Sequence, residues 1–205
     1  MDIKVPDNKK DKIYESALNE FSKNGYEIGS TNSIVKESGI SKGALFKYFE
    51  SKANLYIYVV DRAIDTLDKN IFKNIDDLSN DMFDRIAQLT KVKAEISMKY
   101  TRESTVLVEC MKIEDKNIKK YINDKIQYYY GIMQKIFTDG IDYSKFKEGT
   151  DINKVYETLM FISQGLQDKY IRKYKGSFEL MVNDIDWVYN DTLSYINVIR
   201  EAVYK

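Results

Sequence analysis

Histidine is absent from this 205-residue chain, and cysteine and proline occur once each, as Cys110 and Pro6. Without histidine the chain lacks both the side chain that titrates nearest neutral pH and the commonest metal ligand. One cysteine excludes an intrachain disulfide and a cysteine-built metal cage, and it fits a reducing compartment. Nine glycines and a single proline leave few helix breakers. With apolar residues recurring every three or four positions, this predicts an all-α fold of about nine helices. Net charge is missing too: 32 basic residues face 32 acidic ones. A polyanionic partner must therefore be met by a local patch, not by a globally basic surface. No apolar run reaches the roughly 18 residues of a membrane span. The polar opening "MDIKVPDNKKDK" lacks the apolar core of a signal peptide. A soluble, cytoplasmic protein that uses no membrane is expected.

Ile13, Ala17, Leu18 and Phe21 share one face of a first helix, with Gly25 as its stop. Ser30 suits the cap of a short second helix over 31–38, Gly39 a tight turn, and Ser41 the cap of a third ending near Tyr48. A fourth helix starts after Ser51 and carries Leu55, Val59, Ile64 and Leu67 towards Phe72. Further helices are predicted over 82–100, over a short stretch from Thr101, up to Gly140, over 151–174 and over 178–203. Three short helices thus precede several long ones, with no internal repeat and no flexible tether between them.

The stretch "GISKGALFKYFESK" (Gly39–Lys52) concentrates basic residues on an otherwise neutral chain. A short helix, a glycine turn and another short helix make a helix-turn-helix, whose second helix can enter the DNA major groove. Lys42 and Lys47 project outward from that helix, while Ile40, Leu45 and Phe49 turn back on the first. Gly43 and Ala44 carry almost no side chain, which lets the backbone approach base edges or thymine methyls. Tyr48 and Lys52 fall where the duplex backbone passes, and Lys52 opens the fourth helix, whose first N–H groups favour phosphate. A blander reading fits the same pattern: lysines on a solvated helix face and aromatics in a core.

The longer segment "FSKNGYEIGSTNSIVKESGISKGALFKYFESKANLY" resembles the DNA-binding domain of the tetracycline-repressor (TetR) family of bacterial transcriptional regulators. The likeness rests on Phe21 with Gly25 and Tyr26, and on Ile34 five residues before Gly39. Its most diagnostic part is Ser41–Phe49 followed by Ser51, Lys52 and Leu55. The resemblance implies DNA contacts from Ser30, Thr31, Asn32, Ser41, Lys42, Gly43, Ala44, Phe46, Lys47, Tyr48 and Lys52. It also implies a DNA-binding domain over 1–52, joined through the fourth helix (about 52–72) to a ligand-binding and dimerisation domain over 53–205. Asn32 stands where many relatives have arginine, Ala44 where threonine is frequent, and Phe46 where tyrosine is frequent. Asn32 puts a charged contact in doubt, Ala44 and Phe46 each lack a hydroxyl, and all three bear on which operator is read.

The function implied is that of a non-enzymatic regulator using no cofactor and no metal. It would be a homodimeric repressor, released from a near-palindromic double-stranded operator by a small apolar or cationic effector. The last two helices would pair with the partner's through Leu159, Ile162 and Leu166 on the eighth and Val188, Ile196 and Ile199 on the ninth. The same stripes read equally well as an intramolecular core. Effector contacts are expected among Tyr100, Met111, Tyr129 (in the run "YYYGIM"), Met133, Phe161 and Trp187, where aromatic bulk and adaptable methionine suit an apolar pocket. Two rival readings stand beside this one. The chain could act on DNA through a protein partner without any small ligand. Alternatively, Asp76, Asp77 and Asp81 could hold magnesium against a diphosphate, although no second acidic cluster faces them and such residues commonly cap helices.

Overall fold

Local chemistry marks the helix boundaries in the N-terminal part of the chain. The computed structural model describes residues 7–73, 77–174 and 177–205; Pro6 and Asp76 lie outside them. Helix α1 (Asp7–Ile28) is interrupted at Gly25, where φ is 68° and ψ is −179°. The Gly25 carbonyl then accepts from the Gly29 N–H at 3.1 Å. A Cβ on Gly29 would sit 2.6 Å from that carbonyl oxygen and 2.7 Å from the Phe21 ring. Only glycine fits there. Ser30 caps α2 (Thr31–Ser38), its Oγ accepting from the Ser33 N–H while its own N–H donates to Glu20. Gly39 ends α2 in the left-handed region. Ser41 and Ser51 cap α3 (Lys42–Phe49) and α4 (Lys52–Phe72) in the same way, accepting from the N–H groups of Ala44 and Asn54. Each such cap stabilises its helix by about 1 kcal/mol.

Two compact units result. The first takes residues up to Lys69 together with Tyr100–Lys125, and so adds α6 (Thr101–Cys110) and the start of α7 (Lys116–Thr138). Its core holds Leu18, Phe21, Ile34, Leu45, Phe49 and Tyr56, all essentially inaccessible to water. Burial of side chains this large contributes about 2–3 kcal/mol each. Phe21 and Tyr26 meet the Tyr56 ring edge-on at 4.9 and 5.1 Å, and the Tyr56 hydroxyl donates to the Val106 carbonyl at 3.2 Å.

The second unit takes Asn70–Lys99 with Ile126–Lys205. It contains α5 (Met82–Lys99), the rest of α7, a 3-10 turn (Tyr143–Lys145), α8 (Ile152–Lys173), α9 (Phe178–Val182) and α10 (Ile185–Val203). The helix predicted over 178–203 is broken at Asn183 and Asp184. The Asp184 carboxylate accepts from Lys173 Nζ at 2.8 Å and from the Tyr174 hydroxyl at 2.6 Å, and Asn and Asp readily trade helical bonds for others. Near the C-terminus, Lys147 N–H donates to the Val203 carbonyl and Lys205 N–H to that of Lys145. This places the Tyr204 ring edge-on against Phe83 and Phe146, at 4.9 and 4.8 Å.

Asp81, raised above as a possible metal ligand, is instead committed within the fold. Its side chain is 1 % exposed. It accepts from the Phe83 and Asp84 N–H groups at the start of α5, and pairs with Lys145 at 2.9 Å and Arg200 at 3.5 Å. Asp77 is exposed.

Candidate nucleic-acid interface

Leu45 and Phe49 are buried to 1 % exposure and pin α3 to the first unit's core, with Ile40 and Tyr48 packed beside them. That leaves Lys42, Gly43 and Lys47 on the open side, with Ala44 and Phe46 half-buried. Neither lysine has an ion-pair partner among the described residues. Ser30 and Ser41 each accept a backbone N–H through Oγ, which leaves the hydroxyl proton to donate to a phosphate oxygen. Thr31 and Asn32 occupy the first turn of α2, half-buried and exposed respectively. Ser30, Thr31, Asn32, Ser41, Lys42, Gly43 and Lys47 thus lie along two capped helix starts and one exposed α3 face.

Lys52 differs from the sequence expectation. Its ammonium donates to the Glu27 carbonyl at 3.0 Å and lies 5.0 Å from the Tyr26 ring centroid. It therefore ties the beginning of α4 to the end of α1 and is not a free cation. Burial, followed by the adjacent Asp115 carboxylate, pushes the Tyr26 phenol above the usual tyrosine range. Its hydroxyl donates to that carboxylate at 3.4 Å. Sequence reasoning also passed over Glu50. It ends α3 with φ at 61°, outside the usual range of a non-glycine residue, and its N–H donates to the Phe46 carbonyl at 2.8 Å.

A family model described as bacterial regulatory proteins, tetR family, matches residues 13–59, the segment that builds this face. Residues 13–59 carry the TetR-type DNA-binding segment. The chain is 26% identical over 151 residues to the HTH-type transcriptional regulator SAB2452 of Staphylococcus aureus (strain bovine RF122 / ET3-1), over 74% of each chain. It is also 26% identical over 140 residues to SAUSA300_2515 of S. aureus (strain USA300), covering 66% of this chain and 71% of that one. A TetR transcriptional regulator from Chloroflexus aurantiacus J-10-FL shares the fold with a TM-score of 0.69 and 14% identity, covering 93% and 94% of the two chains. The FadR regulator of Bacillus subtilis, solved in complex with stearoyl-CoA, shares it at 0.66 and 17% identity, covering 92% and 97%. The match over residues 13–59 supports a DNA-binding regulator of this type.

The expected effector residues are divided between the two units. Tyr100 and Met111 flank α6 in the first unit, Met111 largely exposed. The other four belong to the second unit. Tyr129 stacks edge-on with Tyr128, and Met133 borders the core and accepts from Lys93 Nζ through sulfur. The Tyr130 side chain lies outside the described residues. Phe161 is 74 % exposed, and Trp187, itself exposed, has Lys173 Nζ 3.2 Å from its ring centroid. Phe161 lines a groove of about 540 Å³ with Gln134, Asn153, Tyr156, Glu157 and Met160.

Of the expected dimer residues, Leu159, Leu166, Val188 and Ile196 are buried in the unit's own core, and Ile162 and Ile199 pack partly against it. The apolar residues that α8 and α10 turn outward are Phe161, Trp187, Tyr195 and Val198. A helical stripe of period 3.6 marks an inward face as readily as an outward one.

Proposed function

We propose that the protein is a homodimeric TetR-family repressor that reads a near-palindromic operator with the head formed by residues 1–52, α4 serving as the connector. The observation that carries the reading is the pair of unpaired, exposed ammonium groups, Lys42 and Lys47, on a short helix whose opposite side is buried. Lys42 stands at the helix start, beside Gly43 and the half-buried Ala44, where a side chain and backbone can reach base edges together. Lys47 lies towards the other end and meets phosphate.

The two heads of a dimer read half-sites about 34–36 Å apart. Outward Phe161, Trp187, Tyr195 and Val198 supply the apolar surface for pairing α8 and α10 with those of a second copy. We take the effector to be a small molecule with apolar character. FadR of similar fold holds stearoyl-CoA, and the groove beside Phe161 is lined by apolar Met160 together with polar Gln134 and Asn153. An effector that binds better to a dimer with altered head spacing shifts the population away from the DNA-bound state.

Selection of bound sites from random duplex DNA tests this directly. A two-fold symmetric consensus is expected; enrichment of unsymmetrical or featureless sequences would refute dimeric reading. Two substitutions then separate the lysines. Lys47→Ala should weaken operator and scrambled DNA about equally and make the logarithmic salt slope shallower by roughly one. Lys42→Ala should cost about 1–3 kcal/mol at particular operator positions and relax the consensus there. Equal loss on scrambled DNA would remove Lys42 from base reading. Titration of both variants by fluorescence anisotropy decides.

A further inference from the structure

We infer that Glu50 is a built-in brake on DNA affinity, a carboxylate placed at the end of the recognition helix to oppose the phosphate backbone. The inference rests on the reading of α3 as the recognition helix and concerns how tightly that helix is allowed to bind. Between Gly39 and Lys52 the acidic residue is Glu50 alone, set against Lys42, Lys47 and Lys52. It follows Lys47 by three residues, and it is exposed.

Nothing in the fold asks for glutamate at this position. The backbone φ of 61° favours glycine, and a longer side chain there is strained. The α3 terminus is closed by the Glu50 N–H, which bonds the Phe46 carbonyl whatever the side chain. Among the described residues the carboxylate has neither a hydrogen bond nor an ion pair. A costly backbone position is therefore held by a residue whose remaining asset is its negative charge.

That charge matters more because Lys52, two residues on, is occupied by the Glu27 carbonyl and the Tyr26 ring. On this edge of the head, Lys47 attracts phosphate and Glu50 repels it. Non-specific DNA affinity comes from the electrostatic contribution. An anion beside the groove therefore keeps the head from lingering on arbitrary sequence.

The test compares the full-length wild type with Glu50→Gln, which removes charge alone, and Glu50→Gly, which removes charge and relieves the backbone. Binding to a selected operator and to a scrambled duplex is titrated between about 50 and 200 mM salt, and each protein is melted without DNA. Glu50→Gln should bind both duplexes about threefold tighter at the low end. The gain should shrink as salt screens it, the salt slope should steepen, and the melting temperature should hold. Glu50→Gly should show the same affinity gain and melt about 2–4 °C higher. Unchanged or weaker binding by Glu50→Gln at every salt concentration, with wild type binding normally, overturns the brake and leaves DNA recognition standing. Failure of wild type and both variants on all duplexes overturns the recognition-helix reading itself.

Discussion

Asp81→Ala is expected to destabilise the second unit by about 3 kcal/mol. The substitution removes two things at once. It deletes the acceptor for the Phe83 and Asp84 N–H groups, a cap for α5, and it strips Lys145 and Arg200 of a carboxylate with almost no solvent exposure. Both cations are more than a third exposed, so water recovers part of the loss and keeps the cost below that of a fully buried pair. Trp187 is the chain's one tryptophan and lies in this unit, so its fluorescence in urea follows the change. An unmoved midpoint would show that the cluster contributes nothing net.

The same residue sets an acid dependence. Burial works against ionisation of Asp81, but hydrogen bonds from Lys145 and the Asp84 N–H, with the charge of Arg200, outweigh it and hold the carboxyl below its usual range. The unfolded chain therefore binds this proton more readily than the folded one. The stabilisation is fully present above the unfolded value near pH 4, and it is lost as pH falls through the lower folded value. In Asp81→Asn that part of the acid transition should disappear while the remainder persists.

Gly29→Ala should remove DNA binding for a different reason. The new methyl would press on the Gly25 carbonyl oxygen and the Phe21 ring, both closer than any Cβ tolerates. Phe21 is wholly buried against Tyr56, and the carbonyl is backbone, so neither yields cheaply. Overpacking of this kind costs about 1–3 kcal/mol. The displaced segment also carries Ser30, the cap of α2, so the reading face shifts before the unit unfolds. Operator titration should show a loss of tenfold or more, by the usual conversion of about 1.4 kcal/mol per decade, alongside a lower melting temperature. Wild-type affinity in a stable Gly29→Ala protein would mean that the α1–α2 turn does not position the head.

The head was legible because its signals are local. Ser30 and Ser41 announce helix starts, Gly39 a turn, and the spacing of Ile13, Ala17, Leu18 and Phe21 a buried face. Two local expectations came out differently, each because its cause lies elsewhere in the chain. Lys52 finds the Glu27 carbonyl 25 residues back. The break at Asn183 and Asp184 answers to Lys173 and Tyr174 on the preceding long helix. Leu159 and Leu166 point inward while Phe161, on the same helix, points out, and periodicity carries no label for which face meets a partner.

Helices α2 and α3 have eight residues each, well short of the roughly 12–15 that an isolated helix needs to persist in water. They are formed because Ile34, Leu45 and Phe49 are docked on the first unit's core. The head consequently reaches DNA already ordered, and the encounter imposes little further loss of conformational entropy on the protein. Operator affinity and core packing are then one thermodynamic quantity seen twice: whatever loosens Phe21 or Tyr56 also adds an ordering cost to every binding event.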